Sequence, residues 1–127
     1  CDNRFTLIDW RDSFGESLVV GDIYYDLGKL YHAIIVNGHI IRTKQYSISI
    51  NDSKALISIN MRDNLLILLS KFKKFCINRE YNWNTIVLLG TLQFINISSM
   101  HFGEYSKFLF LFGKLHLEKL LQGENYD

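Results

Sequence analysis

The stretch "LIDWRDSFGESLVVGDIYYDLGKLYH", residues 7–32, contains four aspartates, and three of them, Asp9, Asp22 and Asp26, lie at the ends of two predicted elements of secondary structure. The apolar residues before Asp9 predict a short β-strand, so this carboxylate lies at the strand's C-terminal end, and the polar residues after it predict a loop. Gly21 and Asp22 then open a predicted helix in which Asp22 is the N-cap and Asp26 lies in the first turn. The pair Asn37-Gly38 predicts the end of that helix.

The rest of the chain predicts a β-hairpin followed by three helices. Alternating apolar residues over 46–50 and 55–59, separated by turn residues, predict two antiparallel strands with one solvent-facing side. Apolar periodicity predicts helices over 63–77, 84–97 and 104–121, and the second should be central because it is apolar nearly all round. The predicted fold class is α+β, mostly helical, with a small β-hairpin. The helix after Asp22 has a predicted apolar face made of Ile23, Leu27, Leu30, Tyr31, Ile34 and Ile35.

Size and charge limit the classes of function. The chain of 127 residues fits a single domain, or part of a larger one, and its 48% hydrophobic content is ample for a core. Its 14 basic and 13 acidic residues leave a net charge of +1. The basic residues are too scattered to neutralise a phosphate backbone, so nucleic acid is not an expected partner. The local group Lys71, Lys73 and Lys74 is interpreted as the solvated face of a helix.

Cysteine content and hydropathy indicate a cytoplasmic protein. Cys1 and Cys76 form neither a disulfide framework nor a metal-binding spacing, which fits a reducing compartment. The longest apolar run, 86–97, is shorter than the roughly 20 residues that a membrane span needs. No signal peptide is recognisable. Because the chain begins with Cys and almost at once enters a strand-like segment, we expect it to be the downstream piece of a longer protein.

Asp9 has two possible roles on this pattern. A carboxylate at a strand end, followed by a loop, suits Mg²⁺, which prefers oxygen ligands and is held in phosphoryl-transfer sites by one or two carboxylates plus the substrate phosphates. Alternatively, Asp9 caps the loop through hydrogen bonds to its own backbone. On the local pattern alone, capping is the better explanation, because a single carboxylate is a weak signal of a metal site.

A wider resemblance favours the metal-binding role. The segments "LIDWRDSFG" and "GDIYYDLGKLYH" together resemble the active-site region of the aminoglycoside phosphotransferase and choline kinase-like family, and most closely its bacterial members linked to cell-surface polysaccharide synthesis. The later "FINISSMHFGEYSKFLFLFGKL" is also similar to the C-terminal helices of those proteins. The likeness spans most of the chain, but only the first 32 residues carry specific motifs. It implies the C-terminal part of a protein kinase-like fold.

The resemblance assigns roles to individual residues. Asp9 matches the metal-binding aspartate, and Asp22 matches the aspartate at a helix start that supports the catalytic loop without binding the metal. Asp26 matches the aspartate of the following Asp-Leu pair and is taken as structural. Arg11 lies beside the implied metal site and is a candidate contact for a phosphate or the substrate, although a surface ion pair with Asp12 or Glu16 explains it equally well.

The chain departs from the family in what it lacks. Kinase-like transfer needs a phosphate-covering loop, a strand lysine, a catalytic aspartate and a metal-binding asparagine, and in this family the last two come from a His-Gly-Asp-x-x-x-x-Asn loop upstream of the metal aspartate. Only eight residues precede Asp9. We therefore expect no catalytic residue in this chain and no activity from the chain alone.

Two hypotheses for function follow. In the first, the chain belongs to a phosphotransferase that moves the γ-phosphate of ATP or another nucleoside triphosphate, with Mg²⁺, to a hydroxyl of a small-molecule acceptor such as a sugar or amino alcohol. Its partner is then the missing N-terminal lobe of the same protein, and the helices after residue 62 help to form the acceptor side of the cleft. In the second, the chain is a non-catalytic kinase-like module that binds a partner through exposed apolar surface.

Histidines and aromatic residues of the second half have structural interpretations. His32 lies beside apolar helix positions and is interpreted as a hydrogen-bonded packing residue, and no pair of histidines has zinc spacing. Phe108, Phe110 and Phe112 could form a lipid or partner surface, but alternate members of such a run point in different directions on a helix. Most of them are therefore expected in the core.

Overall fold

A computed structural model describes residues 15–17, 21–52 and 54–123. It shows an α+β fold that is mostly helical with one two-stranded antiparallel hairpin, which confirms the predicted fold class. The predicted strand before Asp9 lies outside the described residues. The elements in chain order are α1 (Ile23–Ile35), α2 (Gly38–Arg42), β1 (Tyr46–Asn51), β2 (Lys54–Ile59), α3 (Asp63–Asn78), α4 (Trp83–Ser98) and α5 (Gly103–Leu121).

Helix α4 is the centre of the fold, as its apolar sequence predicted, and it packs against both α1 and α5. Ile86, Val87 and Phe94 on α4 are fully buried. Burial of large apolar side chains of this kind stabilises the folded chain by about 1.5–3 kcal/mol each before entropic costs are counted. Two helix contacts use glycine: Gly90 lies directly against α1, and Gly113 of α5 lies directly against α4.

The first helical segment consists of two helices where one was predicted. Helix α1 ends at Ile35, close to the predicted stop, but Asn37 then caps the short helix α2, since its Oδ1 accepts from the backbone N–H groups of His39 at 2.9 Å and Ile40 at 3.2 Å. The buried face of α1 is narrower than the apolar face that was predicted. Ile23 and Leu30 are each 48% exposed, whereas the other four members are buried.

The hairpin has the predicted difference between its faces. Ile48 pairs with Ile57, and Ser47 pairs with Ser58 on the opposite face, where their hydroxyl oxygens lie 2.8 Å apart. At the open end of the hairpin, the ring of Tyr46 lies 4.6 Å from that of Phe108 on α5. The apolar face of the hairpin is therefore anchored on α5.

Helices α3 and α5 expose different amounts of apolar surface. On α5, Phe108 and Phe112 are buried and Phe110 is 47% exposed, as the alternation argument predicted. Helix α3 is less well covered, because only Phe72 and Cys76 are buried along its length. No helix of the described residues is long and apolar enough to cross a membrane. The largest exposed apolar side chains of α3 are Leu66, Ile67, Leu68, Phe75 and Ile77.

Candidate functional site

The two residues that the resemblance places at the metal and the phosphate, Asp9 and Arg11, lie outside the described residues. Within the part of the chain that the structure describes, no group of three or more His, Cys, Asp or Glu side chains is arranged to hold a metal ion. Asp22 and Asp26, which were predicted to support the site and not to bind metal, are both described.

Asp22 is the N-cap of α1, as predicted from the sequence. Its extended backbone brings Oδ1 to 2.8 Å from the backbone N–H of Tyr24, and its carbonyl oxygen accepts from the N–H of Tyr25 at 3.1 Å. These bonds satisfy donors that a helix start otherwise leaves without partners, and the negative charge also faces the positive end of the helix dipole. The capping geometry fixes where α1 begins and the direction in which it leaves the preceding loop.

Asp26 lies in the first turn of α1 and is exposed to solvent. Its carboxylate is near the positive end of the helix dipole, a position that typically stabilises a helix by about 0.3–1 kcal/mol. The next residue, Leu27, is buried in the core. The Asp-Leu pair thus combines a favourable charge at the helix start with a core contact, which is a structural role of the kind expected for Asp26.

Tyr24 fixes the start of α1 to the loop that leads into α4. Its hydroxyl oxygen accepts a hydrogen bond from the backbone N–H of Asn82 at 3.1 Å, and its ring meets the ring of Tyr81 edge-on at 5.9 Å. Asn82 in turn caps α4, since its Oδ1 accepts from the N–H of Thr85 at 3.0 Å. The starts of α1 and α4 are therefore coupled by one tyrosine whose role the sequence analysis missed.

A cleft of about 300 Å³ opens beside Asn82, between the start of α4 and the end of α5. Its volume is at the lower end of the range for small-molecule sites. Its lining combines amide and hydroxyl groups near the start of α4 with leucines of α4 and α5. The lining residues are Asn82, Asn84, Thr85, Leu88, Leu117, Leu120, Leu121 and Gly123.

His32 packs against an apolar side chain, as predicted, but its hydrogen bonding differs from the prediction. The imidazole ring lies 4.6 Å from the ring of Phe94, and its Nε2 is buried with no hydrogen-bond partner in the described part of the chain. Burial, and to a lesser degree the positive charge of Lys29, lowers the pKa of His32 below its ordinary value. The half-buried ring of His32 therefore acts as a packing group beside Phe94.

A cluster formed by His39, Arg42 and Arg62 was also missed by the sequence analysis. Arg62 Nη2 lies 2.7 Å from Nε2 and 2.9 Å from Nδ1 of His39, although 23 positions separate the two residues. No local motif marks the cluster. The only signal in the sequence was the predicted hairpin, which returns the chain from β2 to the neighbourhood of α2.

The cap of α1 provides a stability test. Asp22→Ala is expected to lower the free energy of unfolding by about 0.5–2 kcal/mol, because the Tyr24 N–H loses its acceptor. Asp22→Asn should cost less, since an amide oxygen can still accept that bond. Chemical denaturation of the two variants measures the difference, and equal, negligible losses would show that the cap does not contribute.

Comparisons with known proteins add no assignment to this site. No family model, no curated protein and no solved structure matches the chain.

Proposed function

We propose that the chain is the C-terminal part of a kinase-like phosphotransferase. The intact enzyme transfers the γ-phosphate of a nucleoside triphosphate to a hydroxyl of a small molecule, such as a sugar or an amino alcohol. The observation that carries the proposal is the pair of motifs in residues 7–32. Asp9 would hold Mg²⁺, which supplies charge stabilisation to the transferred phosphoryl group. Arg11 is the proposed contact for a phosphate or the substrate. The proposed location of the protein is the cytoplasm, and its proposed role is in polysaccharide synthesis.

Two features of the described residues support this proposal. The Gly-Asp motif opens a helix at Ile23, and Asp22 caps it, where the related family is expected to begin a helix that supports its catalytic loop. Tyr24 then holds this helix start against the loop beside the cleft between α4 and α5. Helices α4 and α5 both lie after residue 62, in the region that is expected to help form the acceptor side of the cleft.

The proposal is tested with the intact protein, including any nucleotide-binding lobe encoded upstream of Cys1. We expect it to transfer phosphate from a Mg²⁺–nucleotide complex to at least one hydroxyl-bearing acceptor in a panel of sugars, amino alcohols and aminoglycosides. The 127-residue chain alone should show no transfer, because the loop that supplies the catalytic aspartate is absent from it. Turnover by the chain alone that disappears in Asp9→Ala would contradict this division of roles.

A second candidate function is a non-catalytic interaction module, and the exposed apolar side chains of α3 favour it. Ile67 is 56% exposed, Phe75 is 50% exposed and Ile77 is 52% exposed. Surface of this kind is typical of protein contacts when it is contiguous. The coding sequence upstream of Cys1 separates the two candidates: an in-frame His-Gly-Asp-x-x-x-x-Asn loop and a lysine-bearing strand favour the enzyme, and a start codon close to Cys1 favours the module.

A further inference from the structure

The hairpin brings two distant basic segments together. Tyr46 pairs with Ile59, and the pairing continues one residue beyond the strands, where the backbone N–H of Asn60 donates to the carbonyl of Gln45 at 2.8 Å. The side chains of the same two residues are also bonded, since Asn60 Nδ2 donates to Gln45 Oε1 at 2.9 Å. The end of α2 and the start of α3 are therefore held side by side by a double connection.

Three basic side chains converge at this junction. The guanidinium of Arg62 contacts the ring of His39 through Nη2, at 2.7 Å from Nε2. Arg42 folds back along α2, so that its Nη1 lies 3.4 Å from the position that a Cβ on Gly38 would occupy. The hydroxyl of Thr43 is also close, at 3.5 Å from His39 Nε2. Two guanidinium groups and one imidazole thus share a small area of the surface.

The cluster has no negative counterpart among the described residues. The pKa of His39 is lowered first by loss of water around the ring and then by the positive charges of Arg62 and Arg42, which are the charged groups that act on it. Asp63 follows Arg62 directly, yet neither arginine forms an ion pair with a carboxylate of the described residues. Arg62 is also the N-cap residue of α3, and no side chain caps the first-turn N–H groups of that helix.

We propose that His39, Arg42 and Arg62 form a binding site for the phosphate group of a soluble small molecule. Guanidinium groups donate paired hydrogen bonds whose geometry matches phosphate oxygens. A bound dianion would also relieve the repulsion among the three side chains and allow His39 to carry a proton. The site stands on the geometry of α2, the hairpin and α3, and it does not depend on the proposed phosphotransfer or on Asp9.

The test is an NMR titration of the histidine rings in the protein. Inorganic phosphate is compared with sodium chloride at equal ionic strength, and we expect saturating phosphate to raise the pKa of His39 by about half a unit or more. Arg62→Gln and Arg42→Gln should each weaken phosphate binding on the order of tenfold, because each removes charge-assisted hydrogen bonds. Amide spectra of both variants verify that the fold is kept.

Two matched controls sharpen the result. Arg79→Gln removes the same charge at the other end of α3, where Arg79 lies over the ring of Phe75 at 5.6 Å, and it should leave phosphate binding unchanged. His101, an exposed histidine in a different loop, serves as the reference ring, and its NMR signals should not distinguish phosphate from chloride.

Three outcomes would overturn the proposal. They are an equal response of His39 to phosphate and chloride, an equal response of His39 and His101 to phosphate, and phosphate binding that survives both arginine substitutions. Glycerol phosphate should compete with inorganic phosphate. If glycerol phosphate does not compete but the protein sediments with phosphatidic acid vesicles, the ligand is not a soluble molecule and the proposal is contradicted.

Discussion

Asp9→Asn is expected to lower kcat for phosphotransfer by the intact protein on the order of 10²-fold or more. The substitution keeps the size of the side chain and much of its hydrogen bonding, but it removes the negative charge that a hard divalent cation prefers in a ligand. The loss should appear chiefly in kcat and in the Mg²⁺ dependence, and the fold should survive. Initial rates measured as a function of Mg²⁺ concentration report both quantities.

Two control variants separate metal binding from general loss of charge. Asp12→Asn makes the same chemical change three residues later, at a position to which the family resemblance assigns no role, and it should leave kcat nearly unchanged. The second variant, Arg11→Ala, tests the role of Arg11: a loss far smaller than that of Asp9→Asn would mean that Arg11 only pairs with surface carboxylates, and a comparable loss would support the proposed phosphate or substrate contact. An Asp9→Asn enzyme with near-normal kcat and an unchanged response to Mg²⁺ would reduce Asp9 to a loop-capping residue and remove the main support for the kinase hypothesis.

The predicted secondary structure was most accurate where one local signal dominates. The three long helices begin and end within one residue of the predicted ranges, because their apolar periodicity is sustained over four or more turns. The cap at Asp22 was predictable for a similar reason, since a short polar side chain precedes a periodic apolar segment. The two faces of the hairpin were predictable from alternation, which places successive strand residues on opposite sides of the sheet.

The prediction failed where the outcome depends on contacts between distant segments. Asn37 suits the end of one helix as well as the N-cap of another, and the sequence around it did not indicate that the short helix α2 follows. Ile23 and Leu30 belong to the periodic face of α1, but no element of the described residues covers them fully. The roles of Tyr24 and Arg62 require partners that are 58 and 23 positions away in sequence, so no local motif could have identified them.

The close contact between α1 and α4 also could not be predicted from the sequence, in which Gly90 is one residue of the apolar run 86–97. A Cβ on Gly90 would lie 2.9 Å from the backbone oxygen of Gly28 and would press against the ring of Tyr31. A Cβ on Gly28 would in turn lie 2.8 Å from the Cβ of Leu89. The two glycines therefore set the distance between the two helices, and a backbone oxygen cannot move aside as a flexible side chain can.

Gly90→Ala is therefore expected to lower the free energy of unfolding by about 1–2 kcal/mol, and Gly90→Val by about 3 kcal/mol or more. Overpacking a core contact typically costs about 1–3 kcal/mol, and the gain in helix propensity on replacing glycine by alanine offsets only about 0.5–1 kcal/mol of it. Urea denaturation, with the transition followed by circular dichroism, measures the loss.

The matched control is Gly38→Ala, because a Cβ at that position meets only the flexible end of Arg42 at 3.4 Å. Its free energy of unfolding should stay within about 0.5 kcal/mol of the parent value. The double variant Gly28→Ala/Gly90→Ala should lose less than the sum of the two single losses, since the first added methyl group already moves the helices apart and makes room for the second. Two outcomes would contradict packing of α1 and α4 through the backbone contact at Gly28 and Gly90. One is a Gly90→Ala variant as stable as Gly38→Ala, and the other is a double variant whose loss equals the sum of the Gly28→Ala and Gly90→Ala losses.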